Sequence, residues 1–169
     1  ESLPVNDKTI FEGASLSKPL FAYFVMKYVD KGVIDLDLPL YKYLPYEDIS
    51  YDERYKKITT RMVLSHTTGF PNWRTDYGDS LFLSFDPGSK YQYSGEGFQY
   101  LAKVLAYLLN TNDQGLEQAY QKELALPFGM FTTKFIQNED NLSNKAKPYK
   151  NGHRVEERYE NDTFGAAFS

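Results

Sequence analysis

A chain of 169 residues, 41% hydrophobic and 25% charged, is long enough and apolar enough to bury one core, which excludes a disordered segment. Its net charge of −4 argues against nucleic acid or an anionic membrane surface as a partner, and no apolar run approaches the ~20 residues that span a bilayer. The lack of cysteine excludes disulfides, thiol catalysis and thiolate metal sites, and two histidines among scattered acids make a poor zinc set.

Along the chain, residues 1–8 are polar, carry Pro4 and form a connector without the features of a signal peptide. A short extended run follows at Thr9 to Phe11. The first helix is predicted over 16–31, because Leu20, Phe21, Phe24, Val25, Tyr28 and Val29 recur at helical spacing. Ser15 suits its N-cap, Pro19 falls in the first turn where it is tolerated, and Gly32 suits the stop. Residues 33–45 are expected to be extended or loop, and the charged stretch 47–58 to be solvated. Next, Thr59 or Thr60 should cap a short helix to His66, before a turn at Gly69 to Pro71. A loop over 74–90 ends in Pro87-Gly88. A helix is predicted over 96–109 with the stripe Phe98, Leu101, Val104, Leu105 and Leu108, and another over 115–124 with Asp113 as its cap. Beyond Phe131 periodicity fades, with short strands expected near Phe135 and Tyr149. There is no internal repeat. Mainly helical structure with few strands is the expectation.

The chemistry-bearing pattern is Ser15-x-x-Lys18 at the entrance of the first helix. Positions i and i+3 share a helix face, so the two side chains can meet. A serine hydroxyl becomes a nucleophile when a base takes its proton, and a helix N-terminus offers N–H groups to an oxyanion. The spacing alone is weak: with 11 Ser and 14 Lys, about one such pair arises by chance. A capping serine beside a snorkelling lysine is the structural alternative. Among other residues, His66 is expected to hydrogen-bond its own loop and Glu96 to complement a helix dipole. Trp73 and Tyr77 suit core or loop packing more than a pocket wall.

Five segments occur in order over residues 9–130: "TIFEGASLSKPL", "DLDLPLYKYLP", "ITTRMVLSHTTGFP", "PGSKYQYSGEGFQYLAKVL" and "LPFGM". Together they resemble the serine β-lactamase and penicillin-binding-protein-like family, in particular its branch of class C β-lactamases, esterases and D-alanyl peptidases. The resemblance places Ser15 on the nucleophile, Lys18 on the general base and Tyr93 on the tyrosine of a Tyr-x-Asn element that relays protons. It implies an acyl-enzyme formed with an ester, β-lactam or D-amino-acid peptide, and no metal or organic cofactor. It also implies an α+β chain, the mainly helical central portion of the β-lactamase/transpeptidase-like fold with most of its antiparallel sheet missing. Residues 1–169 are then one incomplete domain. The helix face meant for the sheet would be free for self-association. A periplasmic or extracellular bacterial setting is implied too.

Two departures from the pattern matter. The asparagine of Tyr-x-Asn falls on Gly95, which weakens β-lactam hydrolysis and favours esterase or peptidase chemistry. A third motif, Lys/His-x-Gly, is not found. A penicillin-sensing module without turnover, or an inert fragment, is therefore the alternative.

Overall fold

The computed structural model describes residues 4–155 and 164–165. Helix α1, Ser17–Asp30, buries Phe21, Phe24, Val25 and Tyr28, the stripe its spacing predicts. It stops where expected. Gly32, at φ +70°, donates to the Val29 carbonyl at 2.9 Å, and Val33 donates to the Tyr28 carbonyl at 2.9 Å. These paired bonds satisfy carbonyls that the helix end leaves open.

Helix α2, Thr60–Leu64, is capped by Thr59, whose Oγ1 accepts from the Met62 N–H at 3.3 Å. Helix α3, Gly95–Leu108, buries Phe98, Leu101, Val104 and Leu105. Helix α4, Asp113–Tyr120, runs on into a wider π-type turn, Gln121–Ala125. Its cap is Asn112, not Asp113: Asn112 Oδ1 accepts from the Gly115 N–H at 3.0 Å. Helix α5, Glu139–Ser143, lies where no helix was predicted. It has no apolar stripe and begins at a reciprocal cap between Asn138 and Asn141.

Strands β1, Tyr149–Lys150, and β2, His153–Arg154, pair antiparallel with Tyr149 opposite Arg154. The strand expected near Phe135 does not form. Glu117 instead takes the Phe135 and Ile136 N–H groups at 2.9 and 3.0 Å, leaving none for a ladder. The stretch 47–58 is not simply solvated, since its 3₁₀ turns Glu47–Ile49 and Glu53–Lys57 bury Ile49 and Tyr55.

The core lies where α1, α3 and α4 meet. Phe21 approaches Phe98 at 6.1 Å between ring centroids, Phe24 meets Tyr120 at 5.9 Å, and Tyr120 meets Phe135 at 4.7 Å. Each fully buried phenylalanine ring of this kind contributes about 1.5–3 kcal/mol. Among the described residues the architecture is α+β, mainly helical, with a single two-stranded sheet. No described helix is long and apolar enough to cross a membrane.

Candidate active site

Ser15 sits in a 3₁₀ turn, Ala14–Leu16, immediately before α1. It is not a cap: Leu16 holds the N-cap position of α1, and its side chain makes no capping bond. Ala14 just before it has φ +45°, in the left-handed region. A residue with a Cβ loses about 1–2 kcal/mol there. Strain of this kind is kept where a side chain must be aimed. Ser15 is exposed, whereas Lys18, one turn on, is only 5% exposed. Lys18 Nζ donates to Ser15 Oγ at 3.2 Å. The arrangement is therefore not a capping serine beside a snorkelling lysine.

Tyr93 comes from the loop that leads into α3. Lys18 Nζ lies 4.7 Å from its ring centroid and 5.9 Å from that of Phe98. Burial acts to raise the Tyr93 phenol, but hydrogen bonds with Lys18 and Ser15 and the lysine's positive charge prevail, holding it below its ordinary value. The three residues picked out in the sequence thus come together in space.

His66 supports the tyrosine. Its Nδ1 accepts from the Ser94 N–H at 3.1 Å, and its carbonyl accepts from the Gln92 N–H at 2.8 Å. The imidazole lies 4.5 Å from the Tyr93 ring and 5.2 Å from Phe98, between centroids. Burial, then the charge of Lys18, holds it below the usual histidine range, so it is neutral at pH 7. A histidine expected to bond its own loop instead braces a second loop, the one carrying Tyr93.

Sequence reasoning missed a clamp behind the site. Glu96 does more than complement a dipole: its carboxylate takes Arg74 Nε at 3.0 Å, Nη2 at 2.8 Å and the Arg74 N–H at 2.9 Å. Arg74 also binds Asp48 at 2.6 Å and the Tyr46 hydroxyl at 2.7 Å. Burial pushes Tyr46 up to about 12, so it stays a neutral phenol. Asn72 takes the N–H groups of Gly95 and Glu96, each at 3.1 Å through its carbonyl. Loop 72–74 is thereby fastened to the first turn of α3. Trp73, half-buried, lies against Gly95, while Tyr77 is exposed. A separate cavity of about 240 Å³ is lined by Gly13, Leu16, Ser17, Lys134 and Lys145; Ser15, Lys18 and Tyr93 do not line it.

A family model described as Beta-lactamase matches residues 1–168. The chain belongs to the beta-lactamase family. Among relatives, Esterase EstB of Burkholderia gladioli is 27% identical over 177 residues, covering 88% of this chain and 44% of the esterase. AmpH of Escherichia coli, a D-alanyl-D-alanine-carboxypeptidase/endopeptidase, is 27% identical over 145 residues, covering 75% of this chain and 37% of that one. A crystal structure of a D-alanine carboxypeptidase from Burkholderia cenocepacia superposes with a TM-score of 0.77 at 23% identity, covering 98% of this chain and 46% of that one. This beta-lactamase-family chain therefore spans less than half of each of these relatives. The fold likeness bears out the mainly helical portion of a β-lactamase/transpeptidase-like fold.

Proposed function

We propose that this chain is the nucleophile-bearing part of a serine hydrolase that works through an acyl-enzyme. The observation that carries the reading is the meeting of Ser15, Lys18 and Tyr93 behind the strained Ala14. Ser15 Oγ attacks an ester or amide carbonyl, and its proton passes into the Lys18–Tyr93 pair. As the carbonyl re-forms, the bond to the leaving group breaks, and the pair returns the proton to that group. Water then attacks the acyl-enzyme by the same route, releasing the acid and freeing Ser15. The phenol's lowered proton affinity fits it to share the base role with Lys18. The first turn of α1 carries no acidic residue, so no like charge there opposes a developing oxyanion. Small esters, β-lactams and D-amino-acid peptides are the substrate class. A periplasmic or extracellular bacterial setting fits the family resemblance.

The test is intact-mass measurement after exposure to a fluorophosphonate or labelled penicillin. An adduct on Ser15 is expected, and Ser15→Ala should abolish it. Tyr93→Phe should slow labelling by about 10²–10⁴-fold. Labelling that survives Ser15→Ala would sink the assignment. Glycine at 95 keeps a second reading in play, a penicillin-sensing module, for which a stable adduct without turnover is the signature. No adduct at all favours an inert chain.

A further inference from the structure

At position 95 a side chain is absent and an indole occupies the space. A Cβ built on Gly95 would lie 2.4, 2.6 and 2.7 Å from Cη2, Cζ3 and Cζ2 of Trp73. These separations are far inside contact distance, so residue 95 must be glycine while the indole stays in place. The direction of that space is set by the backbone. Ser94 is extended, at φ −141° and ψ 120°. Side chains alternate along extended chain, so positions 93 and 95 project to one side and 94 to the other. Ser94 turns toward Pro71, donating to its carbonyl at 2.9 Å. Tyr93 turns toward Lys18 and Ser15. The benzo edge of Trp73 therefore stands on the Tyr93 side of the segment. Both neighbours of Trp73 hold it there: Asn72 through the N–H groups of Gly95 and Glu96, and Arg74 through the Glu96 carboxylate.

We infer that the Trp73 indole forms an apolar wall of the Ser15 cleft and selects acyl groups by hydrophobic contact, favouring esters of apolar, multi-carbon acids. This rests on the serine-hydrolase reading and deepens it. The benzo edge carries no hydrogen-bond donor, since the single indole N–H lies on the other ring. The wall thus offers apolar contact to a substrate, and each methylene buried against it is worth roughly fourfold.

The experiment labels the intact protein with ethyl- and octyl-substituted fluorophosphonates. Ser15 Oγ bonds to phosphorus as the P–F bond breaks, and fluoride leaves with the serine proton passed to the base. Octyl labelling is expected to exceed ethyl labelling by about tenfold or more, with Trp73→Ala removing most of that ratio and Trp73→Phe keeping it. Gly95→Ala, which keeps the indole but displaces it, should lower the ratio as Trp73→Ala does. Trp73 is the single tryptophan of the chain, so its emission should shift to the blue on octyl labelling. A ratio unchanged in Trp73→Ala and Gly95→Ala, or unmoved emission with Ser15 fully octyl-labelled, overturns the wall and leaves the hydrolase reading standing. Failure of both reagents to label Ser15 overturns both readings. If Trp73→Ala does not fold, the emission of the unaltered chain decides.

Discussion

His66 couples the Tyr93 loop to pH. The backbone at 66 is left-handed, at φ +56°, and the ring accepts from Ser94, so a neutral imidazole is built into the fold. Its proton affinity is lowered by burial and then by Lys18, below the ~6.5 of an unfolded histidine. Between those two values the unfolded chain binds more protons than the folded one, so stability falls as pH drops below about 6.5. His66→Asn keeps an acceptor and tolerates the left-handed backbone but cannot titrate. Urea midpoints across this range should therefore be flatter for His66→Asn than for the unaltered chain. Equal slopes would show that another group sets the acid limb. Legibility at this scale was partial. The hydroxyl and amine of Ser15 and Lys18 are one helical turn apart, a local relation that spacing reveals. That His66 would reach Ser94 is a contact between separate loops, with no local signature.

Among the elements, α1 and α3 were legible because an apolar stripe at helical spacing has few other ways to be buried. Helix α5 was not, because its evidence is a cap rather than a stripe. The choice of Asn112 over Asp113 at α4 also escaped the sequence. Both residue types cap well, and the extended backbone of Asn112, φ −117° and ψ −171°, decides. The Arg74–Glu96 clamp links a loop to a helix start and is the element-scale feature with the largest expected cost. Glu96 is 6% exposed, so Glu96→Ala leaves Arg74 without its main partner. Loss of about 3 kcal/mol is expected, and a fall in Tm of roughly 10 °C by calorimetry. A loss within about 0.5 kcal/mol would show that Asp48 and Tyr46 hold the loop unaided.

At the scale of the whole molecule, an apolar surface remains beside the core. Tyr23 and Phe128 meet edge to face at 6.0 Å while both are exposed, and Leu16 and Met26 are exposed along the same side of α1. An apolar stripe of this kind promotes association. Sedimentation equilibrium of this chain should show mass rising with concentration, and Tyr23→Lys with Phe128→Glu should suppress the rise. A mass equal to one chain at every concentration would refute self-association through this face. From its sequence alone this protein's main helices, their stops and the local Ser15–Lys18 pairing could be read, because each depends on neighbours within a turn or two. The family resemblance, not local spacing, implied that Tyr93 meets Lys18, and tertiary structure alone decided that His66 braces its loop and that Trp73 fills the space at Gly95. Those contacts join distant segments, and they exist only once the burial of α1 against α3 brings the two loops to the same place.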